Sequence, residues 1–246
     1  MPSHLSEAAA HRSPVLVLGG GITGLGVLRI LARNRIPRWL VATAADLAFA
    51  SRHARPAPRP VGAGPAVESD LAGYLMSLPV DSAVLIPCSD AVLLQIALLS
   101  PEVRRRFRAA VAPPEVLHRA LDKSRFAELL GSIGVSHPRS WTVAGAADLA
   151  SVPQNVYQRA FLKPRDSQAF FARYGVKGFW VKSREAALLR LEELAPTGLG
   201  VQLQEYVPGP PTAHVFVDGY AAAGGDIRAL LVRRRLRMYP TDFGNS

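Results

Sequence analysis

The sequence predicts an α/β fold, with a parallel sheet and flanking helices first, then an α+β lobe, then the start of a further lobe. Three observations lead there. Across residues 13–112, short wholly apolar runs alternate with stretches of helical periodicity, as strands buried on both faces of a parallel sheet require. Pro113-Pro114 then marks a boundary, beyond which capped helices and short strand-like runs follow one another through residue 207. Finally, the runs His214 to Tyr220 and Ile227 to Tyr239 flank Ala-Ala-Ala-Gly-Gly-Asp, the composition of a hairpin turn, within residues 208–246.

Taken in order, residues 1–12 are polar and charged and read as a flexible tail. Val15 to Leu18 is an apolar strand that enters the glycine cluster Gly19-x-Gly21-x-x-Gly24, and Gly26 to Arg35 carries Leu28, Leu31 and Ala32 at helical spacing. This strand, turn and helix open a Rossmann-like domain. Ile36 to Thr43 and Ser82 to Pro87 supply further strands, and Arg52 to Ala66, rich in Pro, Ala and Gly, reads as a surface loop. Arg104 to Arg106 reads as a solvated helix end, where positive charge complements the carboxyl-terminal dipole. In the second domain Asp122 caps a helix that aligns Phe126, Leu129, Leu130 and Ile133, and Gly134 closes it. Arg139 to Val143, Ala160 to Lys163, Lys177 to Val181 and Val201 to Val207 are expected strands, and Ser183 caps a helix packed through Leu188 and Leu191.

Composition narrows the chemistry. With 246 residues, 49% hydrophobic and 20% charged, the chain can build sizeable cores, and a net charge of +10 favours anionic partners. No basic stripe is interleaved with aromatic residues, so nucleic acid is not the expected partner. The single cysteine, Cys88, excludes an internal disulfide framework and lies in an apolar run, as a buried inert thiol would. No stretch reaches the roughly 18 apolar residues of a membrane span, and the first residues lack a secretory apolar core. A cytoplasmic protein is expected.

Three pieces point to a nucleotide clamp. Lys123 lies in the first turn of its helix, Lys163 ends an apolar strand just before Pro164, and Gln204-Glu205-Tyr206-Val207 ends another. Two ammonium groups on flexible stems can grip one phosphate chain. An acidic residue and main-chain groups at a strand end can serve an adenine edge, which suits Glu205, Tyr206 and Val207. Each has a plainer reading, a solvated lysine or a core apolar residue, and it is their order that favours the clamp. The glycine cluster is ambiguous in its own way. A dinucleotide site wants an acidic residue about 20 positions on, where Val41-Ala42-Thr43-Ala44-Ala45 stands and Asp46 comes late. A tight turn with close helix packing is the preferred reading, and an FAD- or NAD-dependent oxidoreductase the alternative. Along the last expected strand, Arg233, Arg235 and Arg237 project to one side and Leu230, Val232, Leu236 and Met238 mostly to the other. That is either a basic edge that discourages aggregation, or, through Arg235 and Arg237, a catalytic row stabilising charge during phosphoryl transfer.

In this order the motifs Asp122-Lys123, Leu162-Lys163-Pro164, Gln204-Glu-Tyr-Val-Pro-Gly209 and Arg235-Leu-Arg-Met-Tyr-Pro240 resemble the ATP-grasp superfamily, in particular its carboxylate–amine ligases. The resemblance implies an ATP site between two lobes, with Lys123 and Lys163 on phosphates and Glu205 to Val207 on adenine. It further implies small carboxylate and amine substrates, magnesium as cofactor, and a front domain that holds the acceptor without binding a dinucleotide. Two departures stand out. Gly209-Pro210-Pro211-Thr212 offers no acidic ribose contact, leaving Asp218 or His214, and the magnesium ligands are expected beyond Ser246. The expectation is therefore an ATP-dependent ligase that works through an acyl phosphate and is inactive as this chain, the remaining alternative being a non-catalytic nucleotide-binding remnant.

Overall fold

The computed structural model describes residues 13–58, 70–165, 167–222 and 224–238, apart from the side chains of 167–169 and 172. The expected tail at 1–12, the second half of the expected loop, and Tyr239 to Ser246 lie outside the described residues. The chain forms two units that divide between Leu121 and Asp122.

In the first unit, β1 (Val15–Leu18), α1 (Ile22–Arg33), β2 (Arg38–Val41), α2 (Leu71–Met76), β3 (Ala83–Pro87), α3 (Asp90–Ala97), α4 (Pro101–Arg106), β4 (Phe107–Arg108) and α5 (Pro114–Leu121) follow in order. The four strands form one parallel sheet in the order β2-β1-β3-β4. β1 lies between β2 and β3, which is why all four of its residues are apolar: Leu16 and Leu18 enter one core with Leu85 and Ile96, while Val15 and Val17 enter the other with Leu28 and Leu40. α5 lies against α3, so the Pro113-Pro114 pair sits inside this unit and not at its edge. The arginines of α4 do more than meet solvent. Arg106 donates to the carbonyls of Val80 at 2.8 Å and Leu78 at 2.6 Å, and Arg104 donates to that of Ala97, so both tie loops together.

The glycine turn is shaped by packing. Gly19 has φ +117°, a Cβ on Gly24 would stand 2.0 Å from the Gly19 carbonyl oxygen, and one on Gly20 would stand 2.2 Å from the Asp46 Cβ. Asp46 itself is bound to the Thr43 N–H and hydroxyl, both at 2.8 Å. Cys88 packs beside the same turn, and burial raises its thiol pKa to about 11, which fits an inert thiol.

The second unit contains α6 (Lys123–Ser132), β5 (Ser140–Val143), α7 (Ala146–Ala150), β6 (Ala160–Pro164), α8 (Ser167–Tyr174), β7 (Phe179–Val181), α9 (Arg184–Leu194), β8 (Val201–Glu205), β9 (Val215–Ala221) and β10 (Ile227–Arg234). Its main sheet is antiparallel in the order β5-β8-β6-β7. One face carries Val143, Ala160, Leu162, Val181, Val201 and Leu203 into a core shared with Leu149, Tyr157, Phe170 and Leu191. The expected apolar stripe of α6 does not join a core: no residue of α6 is buried, and Phe126 and Ile133 are exposed.

β9 and β10 form a separate antiparallel hairpin. The strand ends at Arg234, short of the expected Tyr239, so Arg235 and Arg237 follow it instead of continuing its alternation. Its register places Val217 opposite Val232, and these remain 64% and 62% exposed, so the expected apolar face exists without a core behind it. On the other face Arg233 pairs with Asp218 and lies over the Phe216 ring at 4.4 Å.

Packing at the glycine turn sets a stability contrast. Gly24→Ala is expected to lower unfolding free energy by about 3 kcal/mol, since the backbone must move to relieve overpacking. Gly21→Ala, whose Cβ would meet nothing within 4 Å, is expected to be near neutral. Urea unfolding of the two variants measures the difference.

Candidate functional site

Parity along the strands decides what the face of the second sheet opposite its core displays. Because Ala160 and Leu162 point into the core, Phe161 and Lys163 point the other way, and the same holds for Trp180 beside Val181, for Gln202 and Gln204 beside Val201 and Leu203, and for Ser140 and Thr142 beside Val143. The result is a face with one ammonium, two amides, two hydroxyls and two aromatic rings. Phe161 and Trp180 lie with centroids 5.8 Å apart, and Trp180 and Tyr206 5.0 Å apart.

Lys163 Nζ donates to Gln204 Oε1 at 3.2 Å, Gln204 Nε2 donates to Ser140 Oγ at 2.9 Å, and Ser140 Oγ donates to the Pro138 carbonyl at 3.2 Å. This chain fixes the orientation of the Gln204 amide, with oxygen toward the ammonium. Burial lowers the pKa of Lys163, and the nearby charge of Lys123 lowers it further. A half-buried ammonium that rests on a neutral amide and feels a second ammonium is short of negative charge.

Lys123 is brought there by its helix start. Asp122 accepts from the N–H groups of Ser124 and Arg125 at 2.9 and 3.1 Å, the expected N-cap, and its other oxygen pairs with Arg165 just past β6. Lys123 Nζ then donates to the carbonyls of Pro164 at 2.9 Å and Arg165 at 3.0 Å. Two ion-dipole bonds and one ion pair therefore fasten the start of α6 to the end of β6, and this places both lysines near the carboxyl end of that strand. Burial acts to raise the Asp122 pKa, but hydrogen bonds from Arg165 and the capped N–H groups outweigh it, and the net shift is downward.

Glu205 stands one residue out of phase with Lys163. Its carboxylate pairs with Arg139 at 2.9 Å, which lowers its pKa chiefly through that hydrogen bond, and its N–H donates to the Arg139 carbonyl at 2.9 Å. The Tyr206 N–H donates to the Arg159 carbonyl at 2.7 Å, and Val207 follows, exposed. Gln204 was not among the residues singled out from the sequence as a site residue, although the Val-Gln-Leu-Gln alternation of β8 places it on the face of Lys163; Trp180 was missed for the same reason. Arg235 contacts its own hairpin segment: its guanidinium lies 2.9 Å from His214 Nδ1, donates to Met238 Sδ, and lies 5.1 Å over Phe216. Arg237 follows in the segment after β10, which has no regular secondary structure. The two ribose candidates are thus engaged, His214 with Arg235 and Asp218 with Arg233.

No family model matches the chain, and no curated protein does. Solved structures do. The chain is similar to carboxyaminoimidazole ribonucleotide synthase from Aspergillus clavatus complexed with ATP, at 16% identity and a TM-score of 0.61, covering 89% of this chain and 52% of that one. It is also similar to N5-carboxyaminoimidazole ribonucleotide synthetase from Thermus thermophilus, at 21% identity and a TM-score of 0.59 over 90% of this chain and 54% of that one. A third, L-amino acid ligase from Bacillus licheniformis, matches at 13% identity and a TM-score of 0.59, over 92% and 52%. These are ATP-grasp carboxylate–amine ligases, so the resemblance seen in the motifs extends to the fold, and the chain spans about half the length of the structures it matches.

Asp122 is stabilising above the ordinary carboxyl pKa of 3.8, and that contribution is lost as pH falls through its lowered value. Asp122→Ala is expected to cost about 1 kcal/mol at pH 7 through the lost cap, and to flatten the acid limb of stability below pH 3.8. Thermal unfolding as a function of pH checks both.

Proposed function

We propose that the polar face of the second unit's sheet, at the end of β6, binds ATP, as part of an ATP-dependent carboxylate–amine ligase. The observation that carries this reading is Lys163, a partly buried cation on a neutral amide, placed within electrostatic reach of Lys123. A triphosphate would bring negative charge to both, with one ammonium from the end of β6 and the other from the start of α6. Glu205 to Val207 line the adenine edge. Because the Glu205 carboxylate already holds Arg139, the exocyclic amine of the base falls to main-chain oxygens of this segment, with Trp180 and Tyr206 offering their rings nearby. Similar structures crystallised with ATP, or with ADP and an aminoimidazole ribonucleotide, support a nucleotide at this fold.

In the reaction we propose, a substrate carboxylate oxygen attacks the γ-phosphorus, the bond to ADP breaks, and an acyl phosphate forms. An amine nitrogen then attacks the acyl carbon, phosphate leaves, and an amide is produced. The protein's share is positioning and charge neutralisation by Lys123 and Lys163, with Arg235 and Arg237 supplying further positive charge from residues 208–246, which we assign to the start of a second lobe. The residues present do not fit magnesium. Beside the lysines, Asp122 and Glu205 are each committed to an arginine, and among the described residues no three His, Cys, Asp or Glu side chains gather to hold an ion. A cytoplasmic location accords with this chemistry, and no helix among the described residues is long and apolar enough to cross a membrane.

Isothermal titration of the full chain tests the site. Lys163→Ala is expected to weaken ATP binding at least about tenfold, equivalent to ~1.4 kcal/mol, while Arg105→Ala leaves it unchanged. Equal losses would show a diffuse electrostatic effect and overturn the assignment. The pH dependence follows from the same residue. Binding needs the charged form, and Lys163 loses its proton below the ordinary lysine value of 10.5, so ATP affinity is expected to begin falling at a lower pH than an unshifted lysine would dictate.

A further inference from the structure

Beneath the first turns of α6 lies a second feature of the same sheet face, a hollow of about 230 Å³. Ser124 and Glu128 form its roof, His137 one wall, and Ser140, Thr142 and Gln202 its floor. Lys163, Trp180 and Tyr206 are not part of its lining.

The hydrogen bonds around this hollow determine what it can recognise. The Thr142 hydroxyl donates to Ser124 Oγ at 3.3 Å, the Ser124 hydroxyl donates to Gln202 Oε1 at 3.3 Å, and the Ser140 hydroxyl donates to the Pro138 carbonyl at 3.2 Å. Every hydroxyl proton is therefore committed within the protein, and what these groups have left to offer is lone pairs. Gln202 is only 1% exposed, which makes that part of the floor rigid. His137 Nδ1 lies 3.0 Å from the Val135 carbonyl. A carbonyl can only accept, so Nδ1 carries a proton and Nε2 of the neutral ring is an acceptor. Glu128 adds a full negative charge. A hollow rich in acceptors, bearing one carboxylate and of this size, selects against anions and suits a compact donor.

We infer that this hollow binds a small primary ammonium compound, with the Glu128 carboxylate against the ammonium and the lone pairs of Ser124, Thr142, Ser140 and His137 available to its remaining N–H groups. A protonated amine has three donors and no acceptor, the complement of the carboxylate, hydroxyl and imidazole acceptors in this lining, which Ala127 and the Gln202 amide complete. The inference goes beyond the nucleotide reading and does not depend on it, since no group of the hollow is asked to touch a phosphate.

The test uses the full chain without nucleotide, titrated at neutral pH with ethanolamine and, in parallel, with ethylene glycol, which has similar size but a second hydroxyl in place of the ammonium and no charge. Amide resonances of Ser124, His137 and Thr142 are followed by NMR. Saturable shifts with ethanolamine alone are expected, weakened at least about tenfold in Glu128→Gln, which should fold normally because Glu128 is exposed on its helix. Equal responses to the two compounds, no saturable shift with either, or unchanged ethanolamine binding in Glu128→Gln would each overturn the inference.

Discussion

A positive charge held out of water against a neutral partner is the constraint from which the rest of the second unit can be understood. Lys163 lies one residue from the end of a strand, between the buried Leu162 and Pro164, so its stem is held by the sheet while its ammonium is half-buried. An amide oxygen satisfies one donor but supplies no charge. The start of α6 then adds a second ammonium where a carboxylate would be expected on grounds of stability alone. Such an arrangement costs folding energy, and strain of this kind is retained where a ligand relieves it.

Around that constraint the structure separates an apolar core face from a polar face by strand parity. The core face is uniformly apolar, while the opposite face collects amides, hydroxyls, a lysine and aromatic rings. Arginine does the structural electrostatic work: Arg139 holds Glu205, Arg165 holds Asp122, and Arg106 gathers loop carbonyls in the first unit. Of the 29 lysines and arginines in the chain, only Lys123, Lys163, Lys177 and Lys182 are lysines. Two of those four stand at the proposed site. A compact ammonium suits a phosphate chain approached from different sides, whereas the planar guanidinium suits fixed carboxylates and carbonyls.

Much of this was legible beforehand. Wholly apolar β1 announced a central parallel strand, Asp122 and Ser183 announced helix starts that the structure shows capped, and Gly19 announced a turn that needs a left-handed backbone. The placement of Lys123 after a cap and of Lys163 near a strand end was legible too, because each followed a recognisable signal. Gln204, uncharged beside Glu205, carried no signal of its own as a site residue, although alternation with Leu203 puts the amide and not the carboxylate beside Lys163. The hairpin misled in another way: an alternating pattern specifies which residues share a face but neither where pairing stops nor whether anything covers that face. Helix α8 and the short helix α7 carried too few periodic positions to be seen at all.

Lysine footprinting asks most directly whether a nucleotide occupies this face. The full chain, treated with a limiting acylating reagent with and without ATP and then mapped by mass spectrometry, should show Lys123 and Lys163 protected by ATP while exposed Lys182 reacts as before. Equal modification of all three in the presence and absence of ATP would contradict the account.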